Sequence, residues 1–220
     1  MKKILFVILI LIGVIKGCSL LYAKTATPNY TITQQALRFC KKNNYNTDFC
    51  FLVDFSQSTQ VKRFMVYDFN KQKVIYSCYC AHGNDGSNNN GSNGKSEASI
   101  HSFSNKIGSH KSSLGKYRVG KRRTINSVDG MFDVSMYNIP CYEMHGLETT
   151  NNNAHKRGIL LHPMPTMDSN WLMTPPGMSF GCFSIGMNAF SKVSQYISNS
   201  SKPILLWAYF HCCPLKIVDG

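Results

Sequence analysis

The chain has 220 residues, 43% of them hydrophobic, enough for one good-sized domain or two small ones with a substantial core. Its formal charge is +13, with 24 Lys and Arg against 11 Asp and Glu. A basic balance raises the question of nucleic acid, but no recognition motif for it is present, and the apolar leader described next argues for export and against such a partner.

Residues 1–23 read as a secretory signal. A basic start is followed by "ILFVILILIGVI", an unbroken apolar run of 12 residues, too short to span a bilayer comfortably. Cleavage after Ala23 fits the small residues there, and lipid attachment at Cys18 is the alternative, though Lys16 sits badly in such a motif. Removing the leader's three lysines leaves 21 basic against 11 acidic residues, a charge of +10. On an exported protein that charge suits an anionic envelope polymer or membrane surface, or is simply a solvated basic surface. No later segment is apolar enough to span a membrane.

Residues 24–30 read as a linker. "TITQQALRFCKK" (31–42) puts Ile32, Ala36, Leu37, Phe39 and Cys40 on roughly one face and predicts an amphipathic helix starting at Thr31 or Thr33. Three strands are predicted next, at 50–55, 61–69 and 73–80, the last two joined by a hairpin at "NKQ". Gly83 to Ser99 is Gly/Asn/Ser-rich and reads as a loop inside the domain. A strand at 114–122 precedes a looser region from Thr124 to Asn153. "RGILLH" (157–162) predicts a strand buried on both faces. "MNAFSKVSQYI" (187–197) predicts a helix, with Met187, Phe190, Val193 and Ile197 at spacings of three and four, and 202–210 predicts a closing strand. Abundant Asn, Ser, Tyr and Phe with little Glu favour a mainly β class. The domain is expected to run over 31–213, with 214–220 as a tail.

The chemistry centres on "SFGC", Ser179 to Cys182. A cysteine is a nucleophile as its thiolate, and a histidine can take its proton and return it to a leaving amine. His162, 17 residues before Ser179 and at the end of a predicted strand, is the candidate base. Gly181 lets backbone approach closely, N–H groups around Phe180 to Cys182 are candidate oxyanion donors, and Ser179 is placed to hydrogen-bond within the turn. The competing reading makes Cys182 a small buried hydrophobe and His162 a satisfied polar residue. His82 and His145, each beside a glycine, either line the cleft or are ordinary loop histidines. Nine cysteines occur, eight after the leader. Cys78, Cys80, Cys212 and Cys213 lack zinc-like spacing, so no metal is expected; disulfides within that set, free thiols, and a Cys40–Cys50 pair all stay open.

From Ala36 to Tyr209 the chain resembles the L,D-transpeptidase catalytic domain family of bacterial cell-wall enzymes. The resemblance rests on "NNYNTDFCFLVDFS", "RFMVYDF", "AHGN", "FSNKIGS", "SSLGKY", "HGLETTNNNAHKRGILLH", "SFGC" and "KPILLWAY", in the family's order. It implies a mixed β-sandwich with a few short helices, Cys182 as nucleophile, His162 as base oriented by a main-chain carbonyl, and no cofactor. Ser179 and Gly181 match the flanking motif. Arg157 matches an arginine near the strand, expected to lie near the site, to brace it, or to form a structural salt bridge. The chain departs from the family at Pro163, where glycine is usual, at Phe180, where a second histidine is common, and at Ser184, where an arginine is often found. The function implied is cross-linking of peptidoglycan stem peptides between third residues through a cysteine acyl-enzyme. Trimming by water (L,D-carboxypeptidase) and an inactive peptidoglycan-binding envelope protein are the alternatives. Such a protein would lie in the periplasm or cell envelope, peripheral to the membrane unless lipidated at Cys18.

Overall fold

The computed structural model describes residues 24–83, 100, 102–125, 138–167 and 179–211. The apolar leader with Cys18, the Gly/Asn/Ser-rich stretch after Gly83, and Cys212, Cys213 and the tail lie outside the described residues. Among the described residues, eight strands form one mixed sheet: β1 (Phe49–Asp54), β2 (Phe64–Asp68), β3 (Lys73–Cys78), β4 (Gly115–Ile125), β5 (Ile139–Gly146), β6 (Leu160–Pro163), β7 (Phe183–Ile185) and β8 (Leu205–Tyr209). Their order is β3-β2-β1-β8-β4-β5-β6-β7. The β1–β8 and β6–β7 pairs are parallel and the rest antiparallel.

The sheet doubles back on itself. Five steps of about 4.8 Å separate β1 from β7 along a flat sheet, about 24 Å. Yet Phe55, just past β1, stacks on Phe183 of β7 with centroids 6.2 Å apart. Ala81, just past β3, also donates its N–H to Ser184 O of β7 at 2.9 Å. The two ends therefore face each other across one core, as in a sandwich. That core takes Phe51, Val53, Phe64, Val66, Tyr117, Met144, Leu161, Phe183, Ile185 and Leu206. Helix α2 (Met187–Ser198) adds Ala189, Phe190 and Val193 to it.

Helix α1 (Tyr30–Lys42) covers the other face of β1, β2 and β8, with Ala36 and Cys40 against Leu52, Met65, Leu205 and Trp207. It starts one residue before Thr31, because Asn29 caps it by accepting Thr31 N–H at 2.8 Å. Lys41 and Lys42 sit in its last turn, favourable for the helix dipole. Two strands were not expected from sequence. β5 falls in the looser region because Pro140 interrupts its pattern; pairing with β4 and β6 on both sides holds it extended. β7 is three residues long, too short to show a period. Cys40, Cys50, Cys80 and Cys141 are buried free thiols, so Cys40 and Cys50 do not form the pair left open above.

Candidate active site

Two parallel strands set the site. Leu161 pairs with Phe183, His162 with Ser184 and Pro163 with Ile185. Side chains alternate along a strand, and Leu161, Phe183 and Ile185 point into the core. Leu160, His162, Cys182 and Ser184 therefore share the opposite face. On β5, Glu143 pairs with Leu160 and Tyr142 with Leu161, so the next rung sets Cys141 level with His162 on that same face.

A tight turn delivers Cys182 to β7. Ser179 N–H donates to His82 O at 2.6 Å, Ser179 Oγ donates to Cys182 O at 2.7 Å, and Gly181 N–H donates to Ser179 Oγ at 3.2 Å. Gly181 has φ +103°, a region L side chains rarely adopt. A Cβ there would lie 2.7 Å from Lys111 O, 2.9 Å from Ile159 Cδ1 and 3.1 Å from an Arg157 guanidinium nitrogen. The close approach at Gly181 is thus made by the protein's own backbone at Lys111.

Arg157 holds that neighbouring segment in place. It donates to Ser104 O, Ser109 Oγ, Lys111 O and Ser113 Oγ. These partners are carbonyls and hydroxyls, so among the described residues Arg157 braces the site and forms no salt bridge. Phe180 is exposed and packs against His110 with centroids 4.5 Å apart and ring planes tilted by 35°. The two rings, with Ile107, Gly108, Lys156 and Arg157, line a basic cleft of about 280 Å³ next to the turn.

The Cys182 thiol is half-buried. Its Sγ lies 3.4 Å from Leu160 N, which donates to it, and 3.7 Å from Gly158 O, which accepts from it. Burial pushes the thiol up to about 11, opposed by the Leu160 N–H and by Arg157. His162 is buried, and burial lowers its pKa, opposed by its hydrogen bond to the Pro163 carbonyl. That bond joins Nδ1 to Pro163 O at 2.9 Å. A carbonyl only accepts, so Nδ1 carries the proton and Nε2 the lone pair. Nε2 lies 2.9 Å from Ser184 Oγ, and by the same logic the serine hydroxyl donates to it. The histidine lone pair is therefore engaged by Ser184, not by the Cys182 thiol. In the sequence Ser184 stands out only as a missing arginine; its contact with His162 depends on cross-strand register, which no local motif reports.

His82 is buried, with Nδ1 3.0 Å from Gly83 O, and its carbonyl anchors Ser179. It supports the turn through its backbone. His145 lies on β5, beside Glu143 and His155.

A family model described as the L,D-transpeptidase catalytic domain matches residues 23–209. No curated protein matches. The chain is similar to solved structures of an L,D-transpeptidase from Mycobacterium smegmatis (11% identity, TM-score 0.38, 74% of this chain and 58% of that one). It is also similar to the helical cell shape determining protein of Campylobacter jejuni (15%, 0.44, 82% and 56%). An Enterococcus faecium L,D-transpeptidase matches at 12% identity, TM-score 0.39, over 74% of this chain and 50% of that one. The chain spans between 50% and 58% of the length of these three structures.

Proposed function

Because the chain belongs to the L,D-transpeptidase catalytic domain family, we propose that it cross-links peptidoglycan stem peptides through an acyl-enzyme on Cys182, in the cell envelope. The observation that carries this reading is a half-exposed thiol on a hydrogen-bonded glycine turn, on the same sheet face as a strand-end histidine held in one tautomer. Cys182 Sγ attacks the carbonyl of the donor stem's third residue. The tetrahedral oxyanion is met by the N–H groups of Phe180 and Cys182, since the Gly181 N–H is held by Ser179. The terminal D-alanine leaves as the amine, protonated by His162, and the thioester remains. The side-chain amine of a second stem then attacks the thioester, loses its proton to His162 and releases the thiolate, which is reprotonated. The basic cleft at His110, Lys156 and Arg157 suits the carboxylates of a stem peptide.

Ser184 is the point on which the mechanism turns. Its hydroxyl occupies the His162 Nε2 lone pair, while Cys182 Sγ rests against Leu160 N and Gly158 O, so the thiol must turn toward Ser184 before the proton passes from Sγ to Ser184 Oγ to His162 Nε2, with Ser184 giving up its own proton as it gains one. A second reading draws on the same contact: with the lone pair engaged and the thiol raised, the fold serves as a peptidoglycan-binding protein of little or no activity.

The test is incubation of the purified protein with a disaccharide-tetrapeptide muropeptide, with products read by mass. Wild type is expected to give a dimer lacking one D-alanine, and Cys182→Ala nothing. Ser184→Ala is expected to lose about 10²-fold in rate, the usual worth of a positioned proton-transfer group. A tripeptide without dimer would replace cross-linking by trimming. A faster Ser184→Ala enzyme would make the hydroxyl a block rather than a relay. Unchanged substrate with wild type, together with retained binding to sacculi, would establish the binding protein.

A further inference from the structure

Glu143 and His145 stand two apart on β5 and so share a face, and His155 reaches them from the 147–158 loop. Glu143 Oε2 lies 3.5 Å from His145 Nε2 and 3.8 Å from His155 Nε2, and the three ligand atoms all lie within 4.8 Å of one another. The two imidazoles stack with centroids 4.6 Å apart and planes at 12°. We propose that this trio is a divalent transition-metal site, for Zn2+ in the first instance, at the rim of the Cys182 turn. It was not expected from sequence, because its three ligands come from a strand and a distant loop with no recognisable spacing.

The donor chemistry and the distances select the cation. Two imidazoles and one carboxylate are a zinc set that leaves a fourth position for water or an incoming carboxylate, whereas Mg2+ and Ca2+ prefer all-oxygen cages. Ligands at 2.0–2.1 Å in a tetrahedron lie about 3.3 Å from one another. The two histidine–carboxylate edges, at 3.5 and 3.8 Å, are already near that length. Only the histidine–histidine edge must shorten, and the His155 side chain, 56% exposed, is free to turn.

Two further features fit. Arg123 reaches the other carboxylate oxygen, Oε1, at 3.4 Å, leaving Oε2 to the metal while fixing the carboxylate. The bulge between Val119 and Arg122 presents Gly120, where a Cβ would fall 2.6 Å from His145 Nε2. A glycine there keeps the coordinating edge of the ring clear. Arg118 and Arg123 add positive charge nearby, which opposes a dication and limits affinity.

The site has a consequence for Cys182. Bound metal ties the loop at His155 to β5. Two residues further is the brace Arg157, and then Gly158, whose carbonyl accepts the Cys182 thiol. Metal occupancy therefore holds the backbone against which the thiol rests.

The experiment is titration of the purified chain with Co2+ as a spectroscopic stand-in, in wild type, Cys182→Ala, His145→Gln and His155→Gln. One equivalent is expected, with visible d–d absorption of a four- or five-coordinate ion and no near-ultraviolet thiolate charge-transfer band. Zn2+ should displace it. Cys182→Ala should bind as wild type. Each histidine variant should bind more than about 100-fold more weakly, beyond the loss expected for an outer-sphere partner. His155 is largely exposed, so its variant reports on ligation without endangering the fold. Absence of one-equivalent binding, a thiolate band, or unchanged binding in both histidine variants would each overturn the proposal. None of these readouts depends on transpeptidase activity.

Discussion

Replacing Gly181 by alanine tests the geometry of the Cys182 turn most directly. Two penalties are separable. The first is conformational: φ +103° lies outside the regions open to an L residue, and holding one there costs about 1–3 kcal/mol. The second is steric: the new Cβ would sit 2.7 Å from Lys111 O, a backbone atom fixed by Arg157, and 2.9 Å from Ile159 Cδ1. Overpacking of this kind costs about 1–3 kcal/mol more. Gly108 supplies the control, since it also has positive φ, +77°, but nothing lies within 4 Å of its would-be Cβ. Gly108→Ala should therefore lose only about 1–2 kcal/mol, and Gly181→Ala about 2–6 kcal/mol. For a domain of this size each kcal/mol lowers Tm by about 2–4 °C. Denaturant unfolding of the two variants beside wild type gives both numbers. On the proposed mechanism, displacing the turn by even part of an ångström should also slow acyl-enzyme formation by about 10²-fold. Equal stability losses in the two variants would refute the steric argument. A Gly181→Ala protein with wild-type acylation would refute the proposal that the turn positions Cys182 for attack.

Other outcomes follow from the same contacts. Cys40 and Cys80 are fully buried, with thiols pushed up to about 12 by burial. In the unfolded chain they ionise near pH 8.5, so above that pH the unfolded state binds fewer protons than the folded one. Stability should fall by about 1.4 kcal/mol per pH unit per thiol from there toward pH 12, and a flat urea midpoint between pH 8 and 10 would refute the burial of those thiols. Arg157→Lys cannot span four acceptors with one ammonium. It should cost about 2–3 kcal/mol and raise hydrogen exchange over residues 104–113, and unchanged exchange would remove Arg157 as a brace. Binding to purified sacculi should weaken as ionic strength rises, because the 24 basic residues outnumber 11 acidic ones; salt-independent binding would assign the charge no part in it.

Features written in consecutive residues were readable, and features written across strands were not. The α1 face, the β2–β3 hairpin, strand β6 and helix α2 each follow from periodicity within a dozen residues. The turn at Ser179–Cys182 is equally local, because its hydrogen bonds close within four residues or reach one neighbouring carbonyl. β5 escaped detection because a proline near its start and a glycine at its end obscure a strand that pairing on both sides sustains. Ser184 against His162, Cys141 level with them, and Glu143 beside His145 and His155 arise from register. Register is fixed by which faces bury together, so it exists only once the sheet has folded back on its core.

The protonation states of the two central groups lead to a last expectation. With the thiol near 11 and His162 below its ordinary value, the resting pair is neutral on both sides. A thiol at 11 has about 300-fold less thiolate at pH 7 than a free cysteine at 8.5. Higher basicity makes each thiolate more nucleophilic, by roughly 13-fold for a Brønsted slope near 0.45. Alkylation of Cys182 by iodoacetamide at pH 7 should then run about 20–30-fold slower than that of a model thiol. Its rate should climb about tenfold per unit from pH 6 to 9 without levelling. The fold tolerates that window, which ends before the buried thiols destabilise it strongly. On the proposed mechanism the proton must leave sulfur as the carbon–sulfur bond forms, which is why a hydroxyl occupying the histidine lone pair matters to the rate. A plateau below pH 8 would reverse the conclusion: Ser184 would have to turn away in solution, leaving His162 to pair with a resting thiolate.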